Sequence, residues 1–353
     1  MIDVKQSADK SDILSMTKDE LTAELAADGM PKYRAAQIYD WVYRGAGFSE
    51  MSNLPAETRR TLDENYFIRR LSVERRLISR IDGTEKYLFA LGDGNFVESV
   101  LMRYHHGNSI CISTQVGCRM GCAFCASTKG GLVRNLEPSE MLAQITGVQD
   151  TTGERISNVV LMGIGEPLDN YVSVLKFLRL LNAPEGLNIG FRHVSLSTCG
   201  LVDKIDSLAE ENLPITLSVS LHAPNDEIRS RIMPVNAKWN IEALLKSCRR
   251  YADRTGRRIS YEYTLISGVN DSHAHAIELA RRLRGMPAHV NLIAVNKIRE
   301  AEFSPGGHGA VQIFSDALRQ HGINATLRRR LGADIDASCG QLRSEAAGKC
   351  EKL

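Results

Sequence analysis

Apolar residues recur at helical spacing in the first part of the chain. Residues 17–29 and 33–45 each predict one amphipathic helix, and each segment ends at a glycine, as helices often do. The first segment opens with a Thr-x-x-Glu capping box at Thr17. A third helix is predicted over residues 56–65. Together these segments predict a small helical unit at the start of the chain.

Short β-rich runs alternate with amphipathic helical segments in the rest of the chain. Two strand-like segments, 85–91 and 95–104, come first. Six further runs follow, separated by helical segments; they are 109–114, 158–162, 193–197, 215–220, 259–265 and 289–295. Such alternation is typical of βαβ units with a parallel sheet. We therefore predict an α/β fold with about six units, fewer than the eight of a full barrel.

Polar and glycine-rich motifs follow most of these predicted strands. A cysteine-rich loop comes after the first of the six, and the other motifs are GIGEPLDN at 163–170, LSTCG at 196–200, SVSLHAP at 218–224 and VNKI at 295–298. The carboxyl ends of parallel strands build the functional site in such folds. We therefore expect these motifs to lie close together at one end of the sheet. Such a convergence of polar motifs indicates an enzyme.

The composition is that of a globular protein, with 43% apolar and 24% charged residues in a chain of 353. The formal net charge of +2 neither requires nor excludes a nucleic acid partner. Residues 1–16 lack the apolar core of a signal peptide, and no apolar run approaches the roughly 18–20 residues of a membrane span. We expect a cytoplasmic protein whose eight cysteines serve metal or redox chemistry rather than disulfides.

Cys118, Cys122 and Cys125 stand at C-x3-C-x2-C spacing, which is typical of a metal site. A structural zinc ion would need a fourth ligand that is not nearby, and a redox pair would not need Cys118. A [4Fe–4S] cluster with three cysteinyl irons leaves one iron open for a ligand or substrate. The ligand count favours the cluster, and the residues alone leave all three alternatives open.

Several motifs resemble those of a known family. The cysteine spacing and the GIGEP sequence resemble the radical S-adenosylmethionine (SAM) superfamily. CISTQVGCRMGCAFCAST at 111–128, LMGIGEPLDN at 161–170, SLHAPNDEIR at 220–229 and DIDASCGQL at 334–342 together resemble the RlmN/Cfr family of adenine RNA methyltransferases. The resemblance runs from about residue 31 to residue 342.

The resemblance implies a domain organisation. The fold would be a partial (βα)6 TIM-like radical SAM barrel with a small helical N-terminal accessory domain. Residues 1–70 would form that RNA-binding accessory domain, and residues 71–103 a β-rich connecting segment. Residues 104–334 would form the radical SAM core barrel, and residues 335–353 a C-terminal segment.

The resemblance also implies the cofactors and the residues that hold them. One [4Fe–4S] cluster would be held by Cys118, Cys122 and Cys125, and two SAM molecules would be used in each turnover. The SAM contacts would come from the glycine-rich motif and from strand ends; they are Gly165, Glu166, Ser197, Ser220, Leu221, His222 and Asn296. Taken alone, Ser197 and His222 are more typical of a strand-end hydroxyl and a core histidine.

Three further residues would carry the chemistry that the family performs. Cys339 would take a methyl group from SAM, and the radical formed from a second SAM would activate that methyl for addition to C2 of adenine. Cys111 would then release the product by forming a disulfide, and Glu98 would accept the C2 proton. Taken alone, the two cysteines are typical of small buried side chains and Glu98 of a solvent-facing one. We assign no role to Cys199, Cys248 or Cys350, and expect the first two to pack in or near the core.

The implied substrates are adenine 2503 of 23S rRNA and adenine 37 of tRNA. The implied electron donor resembles flavodoxin or ferredoxin, and we expect a monomer without a membrane partner. Methylation at C8 is the alternative within the family, and a zinc-stabilised RNA-binding protein is the alternative outside it. Among the basic stretches, 69–80 is the best candidate for contact with phosphates. We expect 249–258 and 281–285 to be solvated surfaces.

Overall fold

The computed structural model describes residues 10–296, residue 298 and residues 303–343. Three helices form the first part of the chain as predicted: α1 (Lys18–Ala27), α2 (Tyr33–Tyr43) and α3 (Ala56–Asn65). The capping box is present, because Thr17 accepts a hydrogen bond from the Glu20 amide at 3.2 Å and Glu20 accepts one from the Thr17 amide at 2.7 Å. A short parallel pair, β1 (Ser11–Asp12) and β2 (Tyr66–Phe67), joins the two ends of this unit.

An antiparallel segment connects the helices to the rest of the chain. Its strands are β3 (Ser72–Ile78), β4 (Glu85–Ala90), β5 (Phe96–Tyr104) and β6 (Gly107–Cys111). A separate hairpin of β7 (Gln115–Gly117) and β8 (Leu132–Asn135) flanks the cysteine loop. Strand β3 was not predicted; it lies at the edge of the sheet within the basic stretch 69–80, and most of its side chains are exposed.

Parallel strands continue the sheet from β6. They are β9 (Ile156–Leu161), β10 (Val194–Thr198), β11 (Thr216–Ser220), β12 (Ile259–Leu265), β13 (Ala288–Ala294) and β14 (Asn324–Leu327). Within the described residues the strand order is β14-β13-β12-β11-β10-β9-β6-β5-β4-β3, parallel from β14 to β6 and antiparallel beyond. The predicted α/β fold is confirmed. Strand β14 is an addition to the six predicted strands, and only Ala325 of its four residues is buried, so it lacked a hydrophobic signal.

Helices cover the outer face of the parallel strands. They are α4 (Pro138–Thr152), α5 (Tyr171–Asn182), α6 (Val202–Glu210), α7 (Asp226–Ile232), α8 (Ile241–Thr255), α9 (His273–Leu283) and α10 (His308–Gln320). Each of the longer helices turns an apolar face to the sheet; in α5 that face includes Val174, Phe177, Leu178 and Leu181. No helix in the described ranges is both long and apolar enough to cross a membrane.

The turn between β3 and β4 holds the C-terminal segment. The Ser79 hydroxyl donates to Asp334 Oδ1 at 2.6 Å, and the Arg80 amide donates to Asp334 Oδ2 at 2.9 Å. In return, Asp82 Oδ2 accepts from the Gly332 amide at 2.9 Å. These contacts join positions about 250 residues apart. The antiparallel segment therefore supports the part of the chain that carries Cys339.

His222 closes the end of β11 in a conformation that few residues adopt. Its φ of 55° lies in the left-handed region. Nδ1 accepts a hydrogen bond from the Thr264 amide at 2.9 Å, so the hydrogen of the neutral ring is on Nε2. Burial and the nearby positive charge of Arg229 lower the pKa of His222 to about 3. The folded protein therefore keeps this ring neutral over the physiological pH range.

We expect His222 to make the folded state sensitive to acid. Because its folded pKa lies below that of an unfolded histidine, about 6.5, the unfolded chain binds the extra proton. The stabilisation is complete above about pH 6.5 and is lost as the pH falls towards 3. The variant His222→Asn is a suitable comparison, because asparagine tolerates the left-handed backbone and its side-chain oxygen can accept a hydrogen bond.

Urea unfolding measures the free energy of unfolding of the wild type and of His222→Asn. The difference between the two free energies should shrink by about 1.4 kcal/mol for each unit by which the pH is lowered between roughly pH 6 and 4. His273→Asn, in an exposed position at the start of α9, is the control. A difference between wild type and His222→Asn that stays constant over this range would contradict the expectation.

Candidate active site

A cavity opens at the carboxyl ends of the parallel strands. Its volume is about 930 Å³, part of which is open to solvent. Ten of the predicted site residues line it: Cys118, Cys122, Cys125, Gly165, Glu166, Ser197, Ser220, His222, Asn296 and Cys339. Leu221, Cys111 and Glu98 lie outside the lining. The structure therefore brings together motifs that are spread over more than 200 positions of the sequence.

The cysteine loop is held in place by its own backbone. The Cys118 amide donates to the Gly131 carbonyl at 2.8 Å, where the β7–β8 hairpin closes. Gly117, with φ of 75°, lies against that carbonyl, which a Cβ atom would overlap. The Thr128 hydroxyl contacts the carbonyls of Cys122 and Cys125 at 3.3 and 3.0 Å. These contacts direct three thiols into one cavity.

The three thiols form a donor set that fits a positively charged iron centre. Burial raises the pKa of Cys118 to about 12 and raises the pKa of Cys122 and Cys125 as well, and the Glu166 carboxylate adds to the effect at Cys118 and Cys122. Ligation requires thiolates, and a cationic centre would offset the cost of burying them. Among the described residues, no three His, Cys, Asp or Glu side chains surround a point suitable for a single metal ion.

The glycine-rich loop after β9 approaches the start of the cysteine loop closely. A Cβ atom on Gly165 would lie 2.6 Å from Gln115 Cβ, and the φ of Gly165 is 108°. The buried Glu166 carboxylate accepts from the Leu168 amide at 3.1 Å and from the Cys199 amide at 2.7 Å. Burial raises the pKa of Glu166, although these hydrogen bonds act against it. Glu166 is therefore fixed between the loops that follow β9 and β10.

Arg229 fastens the strand ends around the cavity. Although it is charged, it is fully buried. Its guanidinium donates to the carbonyls of Cys199 at 2.7 Å, Ser220 at 3.1 Å and Leu221 at 3.2 Å. The Leu221 side chain is itself fully buried, and its amide donates to the Glu262 carbonyl. The polar backbone at the ends of β10 and β11 is thus satisfied by one side chain.

Cys339 lies on a C-terminal loop that docks on the cysteine loop. The Ala126 amide donates to the Gly340 carbonyl at 2.8 Å, and the Ser127 hydroxyl donates to the Leu342 carbonyl at 2.8 Å. Two residues after the end of β13, Asn296 Nδ2 donates to the Cys339 carbonyl at 3.0 Å. The Cys339 side chain is partly exposed and lines the same cavity as the three clustered thiols.

Cys111 lies beneath that C-terminal loop, at the end of β6. It belongs to a small apolar group outside the main core, together with Val100, Ile164, Ala337 and Leu342. Burial raises the pKa of Cys111 to about 12, and the Cys339 thiol adds to the shift. The two cysteines that sequence analysis paired are therefore neighbours on opposite sides of the loop's docking surface.

Glu98 is buried, contrary to the solvent-facing position that its strand context suggested. It lies on β5 two residues before Val100, which pairs with Cys111 across the strands. Its carboxylate forms an ion pair with Lys86 at 3.0 Å and accepts from the Arg343 amide at 2.9 Å. The C-terminal segment covers this face of the sheet, and that long-range contact is what buries Glu98.

Several lining residues were not among the predicted site residues. Cys199 contributes to the cavity instead of only packing near the core, while Cys248 is buried in α8 as expected. Glu262 and Arg328 also line the cavity, with 3.7 Å between Arg328 Nη1 and Glu262 Oε2. A glutamate inside an otherwise uncharged and fully buried strand was the available signal for Glu262. Cys350 lies outside the described residues.

Two family models match the chain. Residues 112–280 match the radical SAM superfamily, and residues 11–68 match the ribosomal RNA large subunit methyltransferase N-terminal domain. The cysteine loop and strands β7 to β12 fall in the first match, and α1–α3 fall in the second.

Curated relatives extend the similarity to almost the whole chain. The probable dual-specificity RNA methyltransferase RlmN of Clostridium tetani is 50% identical over 94% of this chain and 95% of its own length. The protein of that name in Lachnospira eligens is 52% identical over 95% of this chain and 96% of its own length. The crystal structure of a radical SAM methyltransferase from Sphaerobacter thermophilus has a TM-score of 0.90 and 44% identity, covering 94% of this chain and 99% of that one. The chain therefore belongs to the RlmN family of the radical SAM superfamily.

Proposed function

We propose that the chain is an RNA methyltransferase that adds a methyl group to C2 of adenine. The proposed substrates are adenine 2503 of 23S rRNA and adenine 37 of tRNA. One observation carries the proposal: the docked C-terminal loop presents Cys339 at the cavity lined by Cys118, Cys122 and Cys125. The names of the relatives, dual-specificity RNA methyltransferases, support the substrate class.

The chemistry of the target explains why a cysteine would carry the methyl group. C2 of adenine lies between two ring nitrogens, so it is electron-poor and cannot attack the methyl of SAM directly. A cysteine thiolate can, because sulfur is intrinsically nucleophilic. Cys339 would take the methyl from one SAM and release its proton. Asn296 would position Cys339 through the hydrogen bond to its carbonyl.

A bound [4Fe–4S] cluster, ligated by Cys118, Cys122 and Cys125, would supply the electron that converts a second SAM to a radical. The chain itself would orient SAM with Gly165, Glu166, Ser197, Ser220, Leu221, His222 and Asn296. His222 presents an Nε2–H donor to the cavity, and Phe124 packs edge-on against its ring at 4.8 Å. The mostly buried lining would keep water from the radical.

Cys111 and Glu98 would complete the turnover. After the Cys339-borne carbon has joined C2, the unpaired electron of the adduct would return to a bound cluster. The Cys111 thiolate would then attack the Cys339 sulfur, so that an S–S bond forms, the C–S bond to the product breaks, and the freed carbon takes a proton to become the methyl group. The burial of Cys111 under the C-terminal loop keeps it near that sulfur. Glu98 would accept the C2 proton, and its place on the Cys111 side of β5 supports this role. Its carboxylate is held by Lys86 and by the Arg343 amide, so the C-terminal segment that carries Arg343 would have to move before that oxygen of Glu98 could accept a proton.

The proposed partners follow from the rest of the chain. The helical unit within residues 1–70 and the exposed arginines of β3 would contact RNA phosphates. The target base would leave its stack to reach the cavity. Residues 71–103 would connect this unit to the barrel at 104–334, and the segment 335–353 would carry the methyl. A flavodoxin- or ferredoxin-like protein would donate electrons to the monomer.

Nucleoside mass spectrometry tests the proposed function. Digests of 23S rRNA and tRNA from cells with and without the gene should differ in 2-methyladenosine, which should be missing without it. A difference in 8-methyladenosine would instead support the alternative position on the base. Metal analysis of the anaerobically purified protein addresses the non-catalytic alternative, because zinc without iron and sulfide would contradict a radical enzyme.

The roles of Cys111 and Cys339 predict opposite results for two variants. Cys111→Ala should accumulate a covalent protein–RNA adduct, because nothing resolves the linkage to Cys339. Cys339→Ala should give neither adduct nor methylated RNA. Denaturing gels with labelled RNA measure both results. Cys248→Ala, which removes a thiol from α8, is the matched control and should turn over normally. Normal turnover by Cys339→Ala would rule out the methyl-carrier role.

Gly165→Ala should weaken SAM binding about tenfold or more. The added Cβ would overlap Gln115, and the φ of 108° disfavours any side chain, so the loop that carries Glu166 must shift. Equilibrium dialysis of SAM against the cluster-loaded protein measures the effect. Gly130→Ala is the control, since no atom lies within 4 Å of the new Cβ. Equal affinities for both variants would argue against this loop as the SAM contact.

A further inference from the structure

A second cavity opens at the other end of the parallel strands, away from the cysteine loop. The first halves of the strands supply its polar lining, which includes Ser195, Thr216, Ser218, Ser260, His289 and Asn291. The register of the sheet aligns these positions, because Ser218 pairs with Ser260 and Ser260 with His289. The space is about 1260 Å³, including its open mouth.

This interior differs from that of an ordinary α/β barrel. Barrel interiors are usually filled by layers of branched apolar side chains. Here the inward positions carry hydroxyl and amide groups, which are small and leave the space open. They are also hydrogen-bonded to one another: Asn291 Nδ2 donates to Ser260 Oγ at 3.0 Å, and His289 Nε2 lies 3.1 Å from Asn291 Oδ1. A polar network of this kind is suited to a polar ligand.

Positive charge dominates the second cavity. Arg257, Arg258 and Arg328 contribute to the lining against one carboxylate, Glu262. Arg257 is held at the mouth by long hydrogen bonds of 3.4 Å to the Ile215 carbonyl and the Thr216 hydroxyl. Arg258 is exposed beside it. Stretch 249–258 is largely exposed, as the sequence suggested, and the turn before β12 brings these two arginines to one opening.

The single carboxylate is already engaged. Glu262 Oε1 accepts from Ser260 at 3.2 Å and from Asn291 at 3.0 Å, and Oε2 lies 3.7 Å from Arg328. Its charge is therefore balanced by Arg328 at the deep end. The charges of Arg257 and Arg258 at the mouth can therefore attract an anion. A guanidinium group can donate a pair of hydrogen bonds to two oxygens of one phosphate.

From this arrangement we infer that the second cavity binds a phosphate-bearing anion, with Arg258 and Arg257 at the mouth and serine hydroxyls inside. This inference does not depend on the proposed methyl transfer. The second cavity borders the first, because Met162, Glu262 and Arg328 line both. An anion that reached Arg328 would compete with Glu262 for it.

Isothermal titration of the anaerobic, cluster-loaded protein with pyrophosphate at low salt tests the inference. We expect one saturable site in the millimolar range or tighter, and binding at least tenfold weaker in Arg258→Gln. Arg258 is exposed, so its replacement should not disturb folding. Arg249→Gln is the matched control, because it removes the same charge from an exposed position of α8 outside the cavity lining.

The result also distinguishes the two sources of phosphate. A short oligouridylate titrated in parallel shows whether the site binds an RNA backbone. If Arg258→Gln loses binding of both pyrophosphate and the oligouridylate, the site binds RNA phosphate. If Arg258→Gln loses binding of pyrophosphate alone, the site binds a free anion. Absence of saturable pyrophosphate binding in the wild type would overturn the inference. So would equal weakening in Arg249→Gln, which would show that only general surface charge attracts the anion.

Discussion

The docking of the C-terminal loop on the cysteine loop is the constraint on which the site depends. The Ser127–Leu342 hydrogen bond joins residues 215 positions apart, and the Ser79–Asp334 bond joins residues 255 apart. Closing loops of this length costs entropy that local contacts cannot offset. The sheet must therefore be complete before Cys339 can reach the cavity, so Cys339 and the three clustered thiols come together only in the folded protein.

Two ionisable side chains hold the wall of the cavity in place, although burying such groups costs free energy. Arg229 has no exposed surface, and Glu166 is almost as deeply placed. Burying one ionisable group without partners would be strongly unfavourable. Here the backbone polar groups left over at the ends of β9, β10 and β11 become the partners. The same hydrogen bonds that satisfy these two side chains also hold the loops that follow the strands in place.

Sequence patterns predicted the helices and strands whose formation depends on a short stretch of the chain. The helices α1–α3 and the first six parallel strands follow from apolar spacing, capping and turn residues. Ligand count and motif resemblance indicated the cavity residues, and ten of the thirteen predicted positions line it. Strand β14 was missed because it buries one side chain, and β3 because it is an edge strand of exposed residues. The burial of Glu98 and the roles of Arg229 and Arg328 depend on contacts between distant segments, which no sequence window contains.

The polar interior of the sheet also has a consequence for stability. A barrel filled with apolar side chains gains hydrophobic free energy from its centre, whereas serine, asparagine and glutamate at the same positions gain little. The protein compensates on the outer face, where α4, α5, α8 and α10 bury large apolar side chains. The side chains inside the sheet therefore do not have to fill its interior. Glu262 and Arg328 line both cavities, so the charges of these two side chains act on groups in either one.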